Sequence, residues 1–188
     1  MEIKNFRCII SFMEFFDKVD LNDKVVGKTT KKKAHEMGYP HRVAAIFVFD
    51  KNGKLLVQKR KEDGWLDHSV GGHVSAGESY GAAALRELQE ELGLRREKLD
   101  FVGVLFADER IRSRNKMVHF FGLYETTLNE KDVIKIAERE VESLFPMSLE
   151  EIAKGMNKEP IKYTTGFMKT LNFYIEKKNL NISPVEYK

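Results

Sequence analysis

The sequence predicts a mixed α/β fold built around one main core. Three observations carry that expectation. β-rich apolar runs alternate along the chain with amphipathic helical stretches, an Asn-Gly pair joins two of those runs tightly, and 188 residues at 42% hydrophobic content suffice for one well-cored domain with short appendages.

The elements follow in order. "EFFDKV" and "KVVGKTT" flank the turn-rich "DLND" and read as a hairpin of two short strands. "KKKAHEMG" is a short helix closed by Gly38 and Pro40. "RVAAIFVFD" and "KLLVQKR" are strands joined through "KNG", where Gly53 supplies the positive φ that a tight hairpin needs. "KEDGWLDHSVGGHVSAG" reads as a loop leading into a helix over about residues 78–92, which Gly93 ends. "LDFVGVLFADER" and the alternating, aromatic "KMVHFFGLYETT" are further strands. "SLEEIAKGM" is a Ser-capped helix with acids in its first turn, and "YTTGFMKTLNFYIEKK" an amphipathic closing helix.

Composition narrows the function. Charged residues are 32% of the chain but the net charge is only +3, and no long basic arm argues for nucleic acid. The single cysteine, Cys8, excludes an internal disulfide framework and fits a reducing, cytoplasmic setting. The apolar run in "MEIKNFRCIISFMEFFDK" is too short to span a bilayer and lacks a small-residue cleavage site, so neither a membrane helix nor a signal peptide is expected.

The helix at 78–92 is where chemistry shows. Glu87, Glu90 and Glu91 stand at i, i+3 and i+4, which puts three carboxylates on one helix face. Like charges so close repel, and a hard divalent cation reverses that cost; Mg²⁺ favours a few carboxylates together with retained waters and phosphate oxygens. A solvated acidic face is the alternative for an arbitrary helix of this composition.

The spacing goes further. Gly72, five residues, Glu78, seven residues, then Arg86-Glu87-Leu88-Gln89-Glu90-Glu91-Leu92-Gly93-Leu94 matches the signature box of the Nudix hydrolases, and the chain resembles that family. The resemblance implies an α/β/α sandwich with a mixed sheet and an N-terminal β-hairpin. It also implies hydrolysis of a nucleoside diphosphate linked to another moiety, or of a related small metabolite, with Mg²⁺ or Mn²⁺ as cofactor. By the same resemblance Glu87, Glu90 and Glu91 are metal ligands, the Gly72 carbonyl is a further one, and Arg86 orients the acids by pairing with Glu78 or Glu90. Glu90, or one of Glu138, Glu140 and Glu142 in "AEREVES", is the general base; exposed charges are the other reading of those last three. The expected partner is a small diphosphate substrate, with no nucleic acid and no membrane, for a monomer or homodimer. The expected boundaries are an extension at 1–12, hairpin and short helix at 13–40, the enzyme domain at 41–178 with its box at 72–94, and a tail at 179–188.

A second resemblance competes. "DLNDKVVGKTT" and "KKKAHEMGYPHRVAAIFVFDKNGKLLVQKR" are similar to the N-terminal half of isopentenyl diphosphate isomerases, relatives on the same fold that use a cysteine, a glutamate and a largely histidine-held metal. Here Gly71 stands where that family has its cysteine, and Arg114 and Lys116 where its acidic pair would fall. His35, His41 and His73 resemble its metal-binding histidines, against the plainer reading of a helix-surface and a strand-start histidine. The chain thus resembles an isomerase-like branch of the Nudix hydrolases. A non-catalytic Nudix-fold binding module is disfavoured by the intact acid set.

Two weaker features remain. In "RIRSRNK", alternating cations including Arg112, Arg114 and Lys116 either clamp a substrate phosphate or form a solvated basic loop. Trp65 either stacks on a base or packs at the sheet edge.

Overall fold

A computed structural model describes residues 14–108 and 117–186. The order is β1 (Phe15–Val19), β2 (Val25–Thr30), α1 (Lys31–Met37), β3 (His41–Phe49), β4 (Leu55–Arg60), β5 (Leu66–Asp67) and β6 (Val70–His73). It continues with α2 (Tyr80–Leu92), β7 (Asp100–Asp108), β8 (Val118–Thr127), β9 (Val141–Met147), α3 (Leu149–Lys158), a 3₁₀ turn at Pro160–Lys162 and α4 (Thr165–Lys177).

β3 is the axis of a mixed sheet. It runs parallel to β8 from His41↔His119 to Phe49↔Thr127, and antiparallel to β6 from Val43↔His73 to Ile46↔Val70. β4 pairs antiparallel with β9, β7 with β8, and β1 with β2. A strand buried on both faces reads as a continuous apolar run, which is what "VAAIFVF" is. Val43, Ala45 and Phe47 point into a core shared with α3 and α4, while Ala44, Ile46 and Val48 point into a second core against Ala83, Ala84, Leu88 and Leu92 of α2. The sheet therefore lies between α2 on one side and α3 with α4 on the other, the sandwich that the box resemblance implies.

The helices begin where side chains satisfy their first amides. Ser79 accepts from Ala82 N at the start of α2, and Ser148 and Glu151 form a reciprocal capping box on α3. Gly93 at φ 68° closes α2 in the left-handed conformation that favours glycine.

Two stretches differ from the sequence reading. The loop expected at residues 61–77 contains β5 and β6, and "AEREVES" runs from a turn into β9. The three strands are short or interrupted by glycines and polar residues, so their strand character comes from pairing with β3 and β4 and not from residue pattern. Among the described residues no helix is long and apolar enough to cross a membrane.

Candidate functional site

The box carries its carboxylates onto β6. Strand alternation turns Val70 and Gly72 toward α2, and Gly71 and His73 toward the opposite face. A Cβ built on Gly72 would lie 2.0 Å from the carboxyl carbon of Glu87, so the absence of a side chain is what lets Glu87 settle against the strand. Glu87 and Glu91 are buried and Glu90, with 47% of its side chain exposed, looks outward. The three carboxylates that share a helix face thus meet different surroundings.

Arg86 binds the group together. Its guanidinium donates to both oxygens of Glu78 at 3.1 and 2.9 Å, to Glu87 Oε1 at 2.6 Å, to Glu90 Oε2 at 3.3 Å and to the His73 carbonyl at 3.1 Å. One planar fork with several fixed donors can hold a bidentate acid and still reach its neighbours, which a lysine cannot do. Glu91 accepts from Gln58 Nε2 at 2.5 Å and from the Gly71 amide at 3.2 Å.

Burial sets the electrostatics. It pushes the Glu91 carboxyl up to about 8, against the two hydrogen bonds it accepts, with Glu87 and Glu140 adding repulsion. Burial also raises Glu87, against its bond to Arg86. Two buried acids whose charged forms burial disfavours stand close together, and the ligand atoms they offer are oxygens. The residues present fit a hard divalent cation. Of the three acids in "AEREVES", Glu140 is near enough to repel both buried carboxylates, whereas Glu142 is paired with Lys59 at 2.7 Å.

A pH dependence follows. A carboxyl whose folded pKa lies above its unfolded value of about 4.5 makes the native state hold more protons, so stability falls as pH rises toward the folded value. His41, depressed by burial to about 3, acts oppositely, but only up to the unfolded histidine value near 6.5. Above that, Glu91 dominates. The thermal midpoint of the metal-free protein is expected to drop between about pH 7 and pH 8.5, and added Mg²⁺ is expected to raise it more at the higher pH. A midpoint that is flat or rising over this window, measured by thermal denaturation, contradicts the assignment.

On the other face of β6 lies a cavity of about 410 Å³, lined among others by Lys31, Arg60, Trp65, His73, His119 and Thr164; none of the three glutamates lines it. Trp65 is 39% exposed and borders this space. At the cavity's edge four histidines converge. His41 pairs with His119 across β3 and β8, Val43 pairs with His73, and His41 and Val43 share a face, so three imidazoles arrive side by side from three strands. His35 joins them from α1, and one ring nitrogen of each lies within 4.8 Å of the other three. Phe16 stacks on His73 with ring centroids 4.7 Å apart.

The sequence reading reached His35, His41 and His73 and missed His119. The signal was present: in "VHFFGLY" His119 alternates with Phe121 and Leu123, the core-facing residues of that strand. Arg112, Arg114 and Lys116 lie outside the described residues.

Comparisons with known proteins agree with this geometry. The NUDIX domain family matches residues 39–167, more than half of the chain. An isopentenyl-diphosphate Delta-isomerase of Pectobacterium atrosepticum is 31% identical over 163 residues, covering 81% of this chain and 86% of that protein. An uncharacterized Nudix hydrolase of a Nostoc species is 34% identical over 158 residues, covering 80% and 90%. Two shorter alignments, to an isopentenyl-diphosphate Delta-isomerase of Serratia proteamaculans and an uncharacterized Nudix hydrolase of Streptomyces coelicolor, are each 42% identical and span 47% of those proteins' length. A crystal structure from Deinococcus radiodurans superposes with a TM-score of 0.65 at 21% identity, covering 89% of this chain and 99% of that one, which speaks for the fold. With box, sandwich and matched domain in agreement, the chain belongs to the NUDIX domain family.

Proposed function

We propose that this chain is a divalent-metal-dependent diphosphatase that cleaves the diphosphate bond of a nucleoside diphosphate linked to another moiety, or of a related small metabolite. The observation that carries the reading is the packing of Glu87 and Glu91, buried and mutually repelling, against the bare backbone of Gly71 and Gly72. Glu87, Glu90 and Glu91, with the Gly72 carbonyl, would hold Mg²⁺ or Mn²⁺. When bound, such an ion neutralises phosphate oxygens and lowers the pKa of a coordinated water.

The chain's own residues supply the rest. Arg86 keeps Glu87 and Glu90 aimed by holding them between Glu78 and the His73 carbonyl. Gln58 and the Gly71 amide fix both oxygens of Glu91. Glu90, exposed at the rim, or Glu140, within electrostatic reach of both buried acids, takes the proton from the attacking water. Arg112, Arg114 and Lys116 are proposed to grip a phosphate remote from the scissile bond. A phosphate-release screen over nucleotide sugars, dinucleotides, oxidised nucleotides, CoA and prenyl diphosphates, with Mg²⁺ and with Mn²⁺, tests the reading. No metal-dependent release from any of these would remove it.

A second reading, isomerisation of a prenyl diphosphate, is favoured by the Pectobacterium relative and by the histidine cluster. Gly71 opposes it. A Cβ there meets nothing closer than His68 Nδ1 at 3.7 Å, so crowding at the first side-chain carbon does not account for the missing thiol, which is a chemical departure from the isomerases. With no thiol to move the proton, isopentenyl diphosphate is expected to stay unconverted at any enzyme concentration. Formation of dimethylallyl diphosphate, followed by chromatography, would reverse the choice between the two readings.

A further inference from the structure

Trp65, the only tryptophan of the chain, ends the turn between β4 and β5, and its backbone is fixed on both sides. Its carbonyl accepts from the Arg60 amide at 2.9 Å, and its amide donates to Asp63 Oδ1 at 3.1 Å. The residues that follow pair with β4 as Leu66↔Lys59 and Asp67↔Gln58. Strand alternation puts Trp65 and Asp67 on one side, and both line the 410 Å³ cavity. The indole is 39% exposed, and among the described residues no ring stacks on it and no cation lies over it. A large π-face on a rigid mount, with nothing against it, is suited to stacking on a planar ligand.

The groups beside the indole say which ligand. Each of the three nitrogens of Arg60 already faces a carboxylate: Nε faces Asp63 at 3.2 Å, Nη1 Asp67 at 3.3 Å and Nη2 Glu62 at 3.4 Å. Asp63 Oδ1 takes both the Arg60 and the Trp65 bond, which leaves Oδ2 with its lone pairs for a ligand. Glu62, with 85% of its side chain exposed, meets Arg60 through one oxygen. Next to the indole the cavity thus offers hydrogen-bond acceptors. A prenyl chain has no donor for them. An amino-bearing purine has both a wide π-face and N–H donors, whereas uracil has a narrower face and presents mostly acceptors. The cavity's size falls among those of small-ligand sites, roughly 300–1,000 Å³.

We infer that Trp65 and Asp63 recognise the base of a purine nucleotide, adenine or guanine, with the ring stacked on the indole and its amino group donating to the Asp63 carboxylate. The inference rests on the diphosphatase reading for the role of that nucleotide, and deepens it by naming the nucleoside. Gly71 and Gly72 connect the two: both line the cavity, while the Gly71 amide donates to Glu91 and Gly72 packs against Glu87. The backbone of these two residues is therefore shared between the cavity and the acids.

The test reads binding and not turnover. The full chain, in chelator, is titrated with AMP, GMP and UMP, which have no diphosphate bond to cleave. Emission from Trp65 is followed with excitation at the red edge of indole absorption, where bases absorb least. Saturable quenching by AMP or GMP is expected, with UMP binding about tenfold more weakly or worse. By calorimetry, Trp65→Leu is expected to weaken purine binding about tenfold or more, Trp65→Phe to weaken it less because a ring remains, and Asp63→Asn to weaken it about threefold or more. Absence of saturable quenching by both purines, equal affinity for UMP, or wild-type purine affinity in Trp65→Leu or in Asp63→Asn overturns the inference. Should Trp65→Leu fail to fold, the wild-type titration and Trp65→Phe decide, and wild-type affinity in the latter then overturns it. The two readings fail separately: purine binding without metal-dependent phosphate release removes the diphosphatase and keeps the base site, and release without purine binding does the reverse.

Discussion

Replacing Glu91 by Gln is expected to lower kcat for diphosphate hydrolysis on the order of 10² or more while leaving the folded protein at least as stable as before. Both halves follow from one observation. Glu91 is 3% exposed and burial raises its carboxyl to about 8, so its charged form is disfavoured in the absence of a cation. A side-chain amide has the same shape and carries no charge to desolvate; its oxygen can accept from the Gly71 amide, and its NH2 is met if the Gln58 amide turns over to present its oxygen. What it removes is the charge that a divalent ion requires. Chelation of the wild-type enzyme is expected to abolish turnover in the same way, with recovery on adding Mg²⁺ or Mn²⁺. Initial rates and thermal midpoints, measured side by side, check the pair. Wild-type rates in Glu91→Gln, or full turnover in excess chelator, would sink the metal mechanism, and a collapse of the midpoint would make Glu91 a structural residue.

The second large effect is expected at a residue with no side chain. Gly72→Ala places a methyl 2.0 Å from the Glu87 carboxyl carbon, an overlap that only movement can relieve. The strand is pinned, since Gly72 lies opposite Ala44 within the β3–β6 ladder, so Glu87 must leave. Arg86 then loses its closest partner and one ligand is withdrawn. Turnover is expected to fall about 10- to 100-fold, with a stability loss of about 1–3 kcal/mol from the forced repacking. Gly71→Ala is the steric control, because its nearest neighbours lie at 3.7 Å or beyond; its stability is expected within about 0.5 kcal/mol of wild type. Equal midpoints and equal rates for Gly72→Ala and wild type would show that Glu87 does not need its place against the strand.

The elements legible in the sequence share a cause. "VAAIFVF", "KNG" and the Ser-capped "SLEEIAKGM" carry local signals, namely an apolar run, a positive-φ glycine and a cap, and the structure has β3, a tight connection and α3 there. β5, β6 and the start of β9 were not legible because their residues are glycines, acids and short pieces whose strand state depends on partners far along the chain. Trp65 illustrates the same limit: either reading suited its sequence, and only the cavity shows what it borders.

For the site, the sequence by itself determined the chemical inventory and its helical phase. Three carboxylates at i, i+3 and i+4, a glycine pair ahead of them and an arginine beside them are facts of spacing, and helix periodicity places the acids on one face in any fold. Only the tertiary structure decided which of those acids are buried, since Glu87 and Glu91 meet β6 and Gln58 while Glu90 meets solvent. It alone decided that His119, eighty-four residues from His35, stands in a cluster with it. The physical reason is register: pairing β8 beside β3 with His119 opposite His41 brings together imidazoles that no local rule relates, and a slip of one residue would have sent His119 to the other face.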